Sequence, residues 1–472
     1  MHQGFKFRAH RPPRALAQTL IQRMGAQRFI YNGKVGEDRY FRQFARKALS
    51  LTGQRPPIDR CYSQFKTDRT PWLFEIPSQV LRNGAHLWKE AYARFFKKLS
   101  GRPRFKRKDG RRSVWLTREL FEFVEQVDPV TRRSRWFLHL GTQAHRVGKL
   151  ELRAHRAFTI PASVHVSERA GRWFVSFNTE DGKPELTDEK ILAALQHLAP
   201  EELRARTVGL DRGVAVPLAA STGQTWDFSP VQRQRIARQA KYRKHWQRKV
   251  ARRVKGSRRR EAAKRRVSRA YDYATNVRCN FAHKASAQLI AGEHSLIVFE
   301  DLKIKAMTTS ARGTAQVPGK RVAQKTGLNR SILDSAWGLT KTFTHYKARR
   351  HGKLCLAVAP HFSSQTCALC QHTHSDNRPS QSMFICQHCE HTDNADINAS
   401  RVTAQRGVTA VLAGEVVFKK KIAIKRWVGV ERPEPAESKP PTHVETDVSH
   451  RVGNRSMLRS RKRETLTRTV AV

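Results

Sequence analysis

Residues 207–223, TVGLDRGVAVPLAASTG, decide the fold class of the carboxy-terminal half of the chain. The stretch contains an apolar run that ends in Asp211 and a second apolar run that follows through a glycine. A later stretch, SLIVFEDLKIKAM at 295–307, is a continuous apolar run of the kind that forms a buried strand, and it ends in Glu300 and Asp301. The two stretches therefore predict a mixed α/β domain that begins near residue 206.

Three acidic side chains occupy positions from which they could act together. Asp211 and Glu300 each end an apolar strand, and Asp396 opens a helix in the stretch NADINAS at 394–400. Ligands of α/β sheets usually bind at strand ends, and a helix amino terminus favours a carboxylate. Three such oxygen donors could hold two Mg²⁺ or Mn²⁺ ions for phosphodiester hydrolysis. Taken singly, the three residues are equally compatible with a turn residue, a surface charge and a helix cap.

Four of the seven cysteines are spaced as metal ligands. Two CxxC pairs are separated by fifteen residues, which matches a tetrahedral site with four thiolate ligands and predicts a structural Zn²⁺ rather than a catalytic one. A redox CxxC is the alternative, and two pairs so close together argue against it. His388 and His391 are nearby alternative ligands but are more typical of a polar surface or of nucleic-acid contacts. The predicted zinc ligands are Cys367, Cys370, Cys386 and Cys389.

The charge of the chain predicts a nucleic-acid partner. It has 91 Lys and Arg against 39 Asp and Glu, a formal net charge of +52, whereas a net charge of about 2–8 suits a small soluble domain. Residues 231–270 contain eighteen Lys and Arg and a single acidic residue, Glu261. A solvated helix face usually explains a charge run, but a run of one sign favours phosphate contacts. The candidate nucleic-acid-binding residues in this run are Arg243, Lys244, Arg248, Lys249, Arg252, Arg253, Arg258, Arg259 and Arg260.

The first 205 residues combine helical and β-type sequence. Residues 13–100 have apolar side chains at helical spacing, whereas 101–205 contain short β-rich runs separated by polar turns, which is typical of a small antiparallel barrel. Because residues 3–9 also have a strand pattern, the helical segment is predicted to be inserted into the barrel. Residues 228–292 are predicted to be helical, and a single helix is expected around residues 331–350.

The two ends of the chain have distinct compositions. Residues 413–472 are rich in proline, serine and charge, which predicts a basic, largely disordered tail. Neither the amino terminus nor any other segment has an apolar run suited to a signal peptide or to a membrane helix, which needs roughly 20 residues. We therefore expect a cytoplasmic protein with no membrane partner.

Several motifs occur in an order that resembles the TnpB family, the transposon-encoded relatives of the type V CRISPR nucleases. The resemblance covers about residues 5–410. The motifs that carry it are VGLDRGV at 208–214, VFEDLKIKAM at 298–307, KTGLNRSILDSAWG at 325–338, FSSQTCALC at 362–370 and CQHCEHTDNADINAS at 386–400.

The resemblance implies a multi-domain α+β protein. Its parts would be a nuclease domain of the RuvC-like, RNase H type with an inserted zinc knuckle, preceded by a wedge-type β-barrel that carries a helical recognition domain. The implied boundaries are 1–12 and 101–205 for the barrel, 13–100 for the recognition domain, 206–362 and 392–412 for the nuclease domain, and 363–391 for the zinc module that binds target nucleic acid.

The family motifs also select the site residues. Asp211 matches the aspartate of the first RuvC motif, Glu300 the glutamate of the second, and Asp396 the aspartate of the third. The family often has glycine where this chain has Gln371 and Glu390, and a second alanine where it has Ser400. These departures would alter turns of the knuckle and leave the four sulfurs in place.

The function that the resemblance implies is RNA-guided cleavage of double-stranded DNA. A noncoding guide RNA from the transposon end would pair with one DNA strand while the protein reads a short adjacent motif. The alternatives are a compact type V CRISPR effector and a non-cleaving RNA-guided regulator. The intact carboxylates argue against the regulator. A transposase that joins DNA ends is a further alternative, and it lacks support because nothing in this sequence resembles a tyrosine nucleophile with paired histidine ligands. The chain would be bacterial or archaeal and nucleoid-associated when bound to DNA, and no protein partner is implied.

Overall fold

The computed structural model describes residues 2–45, 60–416 and 418, except positions 109, 128, 131, 133, 143–144, 181, 183–185, 312, 314–315 and 318. The predicted tail lies almost entirely outside these residues. Within them, none of the helices combines the length and the apolar character that crossing a bilayer requires. The helices are α1 Arg14–Tyr40, α2 Ser78–Phe96, α3 Asp188–Gln196, α4 Pro200–Ala205, α5 Pro230–Arg252, α6 Arg258–Ala291, α7 Ile304–Met307, α8 Val322–Asp334, α9 Trp337–Arg350 and α10 Ala395–Leu412.

The amino-terminal half contains a seven-stranded antiparallel sheet with the strand order β2-β6-β7-β1-β5-β4-β3. Strand β1 lies between β7 and β5, and its apolar side chains alternate, so that Phe5 is opposite Phe177 and Phe7 is opposite Val175. The strands are β1 His2–Ala9, β2 Arg112–Thr117, β3 Phe121–Val127, β4 Ser134–Gly141, β5 Arg146–Arg153, β6 Ser163–Arg169 and β7 Arg172–Glu180.

Helices α1 and α2 lie between β1 and β2 in the chain and pack on this sheet. Gln27 of α1 is 3% exposed, and its amide satisfies backbone groups of both neighbours. The Nε2 atom donates to the carbonyl oxygens of Val80 at 3.2 Å and Trp115 at 3.0 Å, and Oε1 accepts from the Trp115 N–H at 2.9 Å. This one side chain therefore fixes α1 against both α2 and strand β2.

The second sheet has the order β10-β9-β8-β11-β12. Strands β8, β11 and β12 are parallel, whereas β9 and β10 are antiparallel additions at one side. Val298 of β11 is opposite both Gly209 of β8 and Leu356 of β12, and all five residues of β11 are buried. The strands are β8 Thr207–Asp211, β9 Leu218–Ala220, β10 Thr225–Trp226, β11 Leu296–Glu300 and β12 Leu354–Val358.

Two glycines allow helix α10 to pack closely against this sheet. A Cβ atom at Gly209 of β8 would lie 2.0 Å from the Ser400 carbonyl oxygen of α10. A Cβ atom at Gly407 of α10 would lie 2.3 Å from Cγ2 of Val298. Neither position has room for a side chain, because protein interiors are close-packed. The amino terminus of α10 is thereby held beside the carboxyl ends of β8 and β11.

The segment predicted as one helix around 331–350 is two helices. Helix α8 ends at Asp334 and α9 begins at Trp337, with Ala336 in the left-handed region at φ 60°. The break redirects the chain so that the Trp337 indole N–H donates to the Gly213 carbonyl oxygen at 2.9 Å. The expectation of one continuous helix was wrong because this tertiary contact overrides the local helical pattern.

Candidate active site and metal centre

Asp211, Glu300 and Asp396 converge at one edge of the second sheet. Strands β8 and β11 are adjacent and parallel, with Leu210 opposite Phe299, so the next residues, Asp211 and Glu300, leave the sheet at the same edge. Asp396 lies in the first turn of α10, where the Asn394 side chain caps the helix by accepting from the N–H groups of Asp396 and Ile397. The sheet register and the helix position therefore bring together carboxylates that are far apart in sequence.

The electrostatics of the three groups reflect their proximity. Burial raises the pKa of Asp211, and the charges of Glu300 and Asp396 raise it further, to about 7. Burial also raises the pKa of Glu300, against the Ser363 hydroxyl and the charges of Arg212 and Arg406. Because it is unfavourable for all three carboxylates to be ionised at once, a bound divalent cation would stabilise their ionised forms.

Glu300 is fixed at both its backbone and its side chain. The Ser363 hydroxyl donates to Oε1 of Glu300 at 2.5 Å, and the guanidinium of Arg212, which is 4% exposed, donates to the Glu300 carbonyl oxygen. Phe362 has a left-handed backbone at φ 56°, a conformation rare for a bulky residue, and it precedes the serine that contacts Glu300. Sequence reasoning missed Ser363 and Arg212, although both lie inside the quoted motifs.

Arg378 brings a positive charge to the third carboxylate. One of its guanidinium nitrogens lies 3.5 Å from Oδ1 of Asp396, and it also donates to the Gln381 carbonyl oxygen at 2.7 Å. The Arg378 charge opposes the rise in the pKa of both Asp396 and Asp211. No sequence signal selected this residue, because it lies in the loop between the two CxxC pairs and reaches the site only in the folded chain.

The four predicted cysteines form a compact cluster. Their sulfur atoms all lie within 4.8 Å of one another, and the Sγ–Sγ distances are 3.6 Å for Cys367 and Cys389 and 3.5 Å for Cys370 and Cys386. Four sulfurs bound to one zinc at about 2.3 Å would be about 3.8 Å apart, so the cluster has dimensions suited to such a metal. It is the one group of this compactness among the His, Cys, Asp and Glu residues that the structure describes.

Asp211, Glu300 and Asp396 would offer a metal ion only carboxylate oxygens. Oxygen donors alone are the ligands that Mg²⁺ and Mn²⁺ prefer, so the donor set fits these ions rather than a softer metal.

The cysteine cluster is attached to helix α10 through Asn398. This side chain is fully buried, accepts from the Ala368 N–H at 2.9 Å and donates to the Thr366 carbonyl oxygen at 2.8 Å. A small hairpin of β13 Met383–Ile385 and β14 Thr392–Asn394 joins the second CxxC pair to the same helix. The cluster, Arg378 and Asp396 are thus parts of one connected unit.

The two positions where the family often has glycine adopt left-handed backbone conformations. Gln371 has φ 61° and Glu390 has φ 58°, each directly after the second cysteine of its pair. Glycine adopts this conformation without steric cost, whereas other residues pay roughly 1–2 kcal/mol. The departures therefore preserve the turn geometry at an energetic cost and leave the sulfurs together.

The nine candidate nucleic-acid-binding residues fall into two groups. Five are exposed, three on α5 and two at the start of α6: Lys244, Arg248, Arg252, Arg258 and Arg259. Four are only partly exposed: Arg243, Lys249, Arg253 and Arg260. Lys249 and Arg253 lie 4.7 Å and 6.0 Å from the ring centroid of the buried Trp246, and Arg266 lies 4.0 Å from it. Part of the charge run therefore packs on an aromatic ring of the helical hairpin.

Replacing Asp211 with asparagine is expected to raise the melting temperature of the metal-free chain more at about pH 8 than at about pH 5. The pKa of Asp211 is about 7 in the folded chain and 3.8 in the unfolded chain, so the folded chain loses stability as the pH rises from about 4 to about 7. Asparagine carries no charge and avoids this loss. Thermal unfolding in the presence of a chelator measures the difference. An equal difference at both pH values, or the same pH trend for Asp376→Asn at an exposed position, would contradict this assignment.

Comparisons with known proteins place this chain in a family. Residues 183–311 match the family model OrfB_IS605, described as "Probable transposase", and residues 337–403 match the Cas12f1-like TNB domain. A protein of Escherichia coli K12 assigned as RNA-guided DNA endonuclease InsQ is 32% identical over 420 residues, which cover 88% of this chain and 94% of that protein. A protein of Streptomyces pristinaespiralis assigned as an RNA-guided DNA endonuclease is 28% identical, covering 88% of this chain and 91% of its own.

The fold of this chain is similar to that of a chain in the cryo-EM structure of the Cas12f1–sgRNA–target DNA complex. The TM-score is 0.51 with 12% sequence identity, and the similarity covers 83% of each chain. The similarity to that structure concerns the fold, whereas the 32% identity to InsQ over nearly the whole length shows that the chain belongs to the TnpB family. It is thus an α+β member of a nuclease family.

Proposed function

We propose that this chain is a transposon-encoded RNA-guided DNA endonuclease. The observation that carries the proposal is the convergence of Asp211, Glu300 and Asp396 at one sheet edge, in a chain whose relatives are assigned this activity over nearly their whole length. A binding protein without catalysis would have no need to hold three carboxylates where they raise one another's cost of ionisation.

The nuclease domain comprises residues 206–362 and 392–412 and has an RNase H-like, RuvC-type fold. The mixed sheet of β8–β12, with two carboxylates leaving it at the same edge and the third on a helix packed against it, supports this proposal. Residues 363–391 form its zinc-binding insert, for which the four clustered cysteines are the ligands. Residues 1–12 and 101–205 form the wedge-type barrel, 13–100 the helical recognition domain and 413–472 a basic tail.

Asp211, Glu300 and Asp396 would hold Mg²⁺ or Mn²⁺. Such ions would act as Lewis acids that activate water and stabilise the departing oxygen in phosphodiester hydrolysis. The chain's own residues prepare the site: Ser363 fixes the orientation of the Glu300 carboxylate, and Arg212 fixes its backbone. Arg378 places a guanidinium beside Asp396, where it can pair with a phosphate oxygen of the DNA strand.

The nucleic-acid partners are a guide RNA and a target DNA duplex. The excess of 52 positive charges supplies the affinity for phosphates, whereas pairing between guide and target supplies sequence specificity. The five exposed cations of α5 and α6 are candidates for contacts with the phosphate backbone, and contacts of this kind carry no sequence information.

The decisive experiment is to purify the full chain from its native host, sequence the RNA bound to it, and exchange the guide segment of that RNA. We expect Mg²⁺-dependent cleavage of duplex DNA at the site that the new guide specifies. A bound RNA from the transposon end supports the proposed function, whereas repeat-derived RNA would identify a compact CRISPR effector. Binding of the guided site without cleavage would instead identify an RNA-guided regulator.

A further inference from the structure

An open pocket lies between helices α5 and α6, beside the hairpin of strands β6 and β7. Its volume is about 490 Å³, within the range of about 300–1,000 Å³ that is usual for ligand sites. Carbon atoms provide most of the surface that faces the pocket, although Val250 and Val267 are the only aliphatic residues of the lining. The lining residues are Arg169, Gln247, Val250, Lys264, Val267, Ser268, Tyr271 and Thr275.

Tyr271 forms an oriented aromatic wall of this pocket. The residue is 44% exposed, unlike the buried aromatic residues of the two sheets. The Arg243 guanidinium lies 4.6 Å from its ring centroid, and the Gln247 amide donates to its hydroxyl at 3.3 Å. These contacts hold the ring in place before any ligand arrives, which reduces the entropic cost of stacking another planar group on it.

A cationic groove adjoins the pocket, and the two cavities share Arg169, Lys264 and Ser268. The groove has a volume of about 630 Å³ and runs between α6 and strands β6 and β7 of the first sheet. The lining includes six cations and two acids: Lys6, Arg111, Arg112, Arg169, Lys264 and Arg265, with Glu168 and Glu261. Three of these cations are in ion pairs, Arg112 with Glu168, Lys264 with Glu261 and Arg169 with Asp272. The positive charge that remains in the groove suits phosphates, whereas the part of the pocket away from the shared cations suits a planar base.

An unpaired nucleotide combines the two kinds of group, because its sugar connects a planar base to a phosphate. A paired base remains stacked inside its duplex, whereas an unpaired base can leave the stack and lie on an aromatic ring. The edge of such a base would find the hydroxyl of Ser268 and the amide of Gln247, which can donate or accept hydrogen bonds. A simple apolar ligand would explain the pocket but not the cations at its border.

We propose that this pocket binds the base of one unpaired nucleotide while the adjoining groove binds the phosphates that flank it. The proposal rests on the proposed function, because it takes guide RNA and target DNA as the nucleic acids present. The same chemistry is available from an unpaired position of the RNA and from the unwound DNA, and affinity measurements distinguish the two sources.

The test fills the pocket without changing the charge of the chain. Ser268→Leu places a branched side chain in the pocket, Tyr271→Ala removes its aromatic wall, and Asn276→Leu at an exposed position of the same helix is the matched control. Binding of the copurified RNA, transcribed in vitro, is measured with the full chain. Binding of duplex DNA with the guided sequence is then measured with the RNA-loaded complex.

Both pocket variants are expected to weaken binding of one of the two nucleic acids by about 5- to 150-fold, the usual effect of losing one base–aromatic stack. A loss in the RNA measurement assigns the base to the RNA, and a loss in the DNA measurement alone assigns it to the DNA. The dependence of affinity on salt should stay unchanged, because no phosphate contact is removed, whereas a general loss of folding would alter it.

Photo-crosslinking of the wild-type complex tests whether a base occupies the pocket, even if Ser268→Leu does not fold. RNA with 4-thiouridine and DNA with 5-iododeoxyuridine are the probes, and a crosslink to Tyr271 or Gln247 supports the pocket. Wild-type affinity of the folded variants for both nucleic acids, together with no crosslink at the pocket, overturns it. A wild-type chain that binds no RNA would contradict the proposed function instead, so the two failures are distinguishable.

Discussion

Replacing Asp211 with alanine, Glu300 with glutamine or Asp396 with alanine is expected to lower the rate of DNA cleavage by about 1,000-fold or more. Bound metal ions contribute several kcal/mol of transition-state stabilisation, and each 1.36 kcal/mol corresponds to a factor of ten in rate. Loss of one oxygen donor from a three-carboxylate site removes or displaces an ion. Single-turnover cleavage of labelled duplex DNA by the RNA-loaded complex measures the effect.

The same variants should bind RNA and target DNA with affinities close to that of the wild type, because the cationic surfaces are untouched. Asp376→Ala is a suitable control, since its side chain is 74% exposed and it lies on the same module as Arg378. The control should cut at the wild-type rate. Normal cleavage by all three carboxylate variants would remove the basis for the nuclease site described above.

Substitution of Cys386 by serine is the second change for which a very large effect is expected. Structural zinc sites contribute apparent binding free energies of about 10–16 kcal/mol, so a weakened site unfolds its module. The module holds Arg378 next to Asp396 and contacts α10 through the fully buried Asn398. We therefore expect loss of the bound zinc, a lower melting temperature and a loss of cleavage of about 100-fold or more.

Elemental analysis of the purified chain gives the zinc content of the variant and the wild type. Cys279→Ser makes the same chemical change at a partly buried cysteine outside the cluster, and it should retain one zinc and cut normally. A Cys386→Ser variant that retains full zinc content would show that the four sulfurs are not the ligands. Full cleavage without zinc would separate the module from the nuclease site.

Much of the site could be predicted because its residues follow local patterns. Apolar runs that end in Asp211 and Glu300 identify strands, and parallel pairing brings such strand ends together. The CxxC spacing likewise identifies ligands that the fold then clusters. Selection of Asp396 needed the family motif, because a helix cap is the more usual role for an aspartate at that position.

Other features could not be predicted because they depend on packing between distant segments. Ser363 contacts Glu300 and Arg378 contacts Asp396 only in the folded chain, and no local pattern encodes either contact. The packing of Lys249 and Arg253 around Trp246 is another such feature, since a run of cations predicts solvent exposure or phosphate contacts but not packing against an aromatic ring. The groove beside Tyr271 is lined by residues of the first sheet and of helix α6, so it exists only in the folded chain.

The close contact between Gly209 and helix α10 can form only late in the synthesis of the chain. Asp396 and the helix that packs on β8 are made after Glu300, and at about 5–20 residues per second the ribosome needs roughly 5–20 s to reach them. During that interval the nascent chain already carries the cationic helices α5 and α6 but only two of the three carboxylates. Surfaces that attract RNA therefore exist before the chain is able to cut DNA.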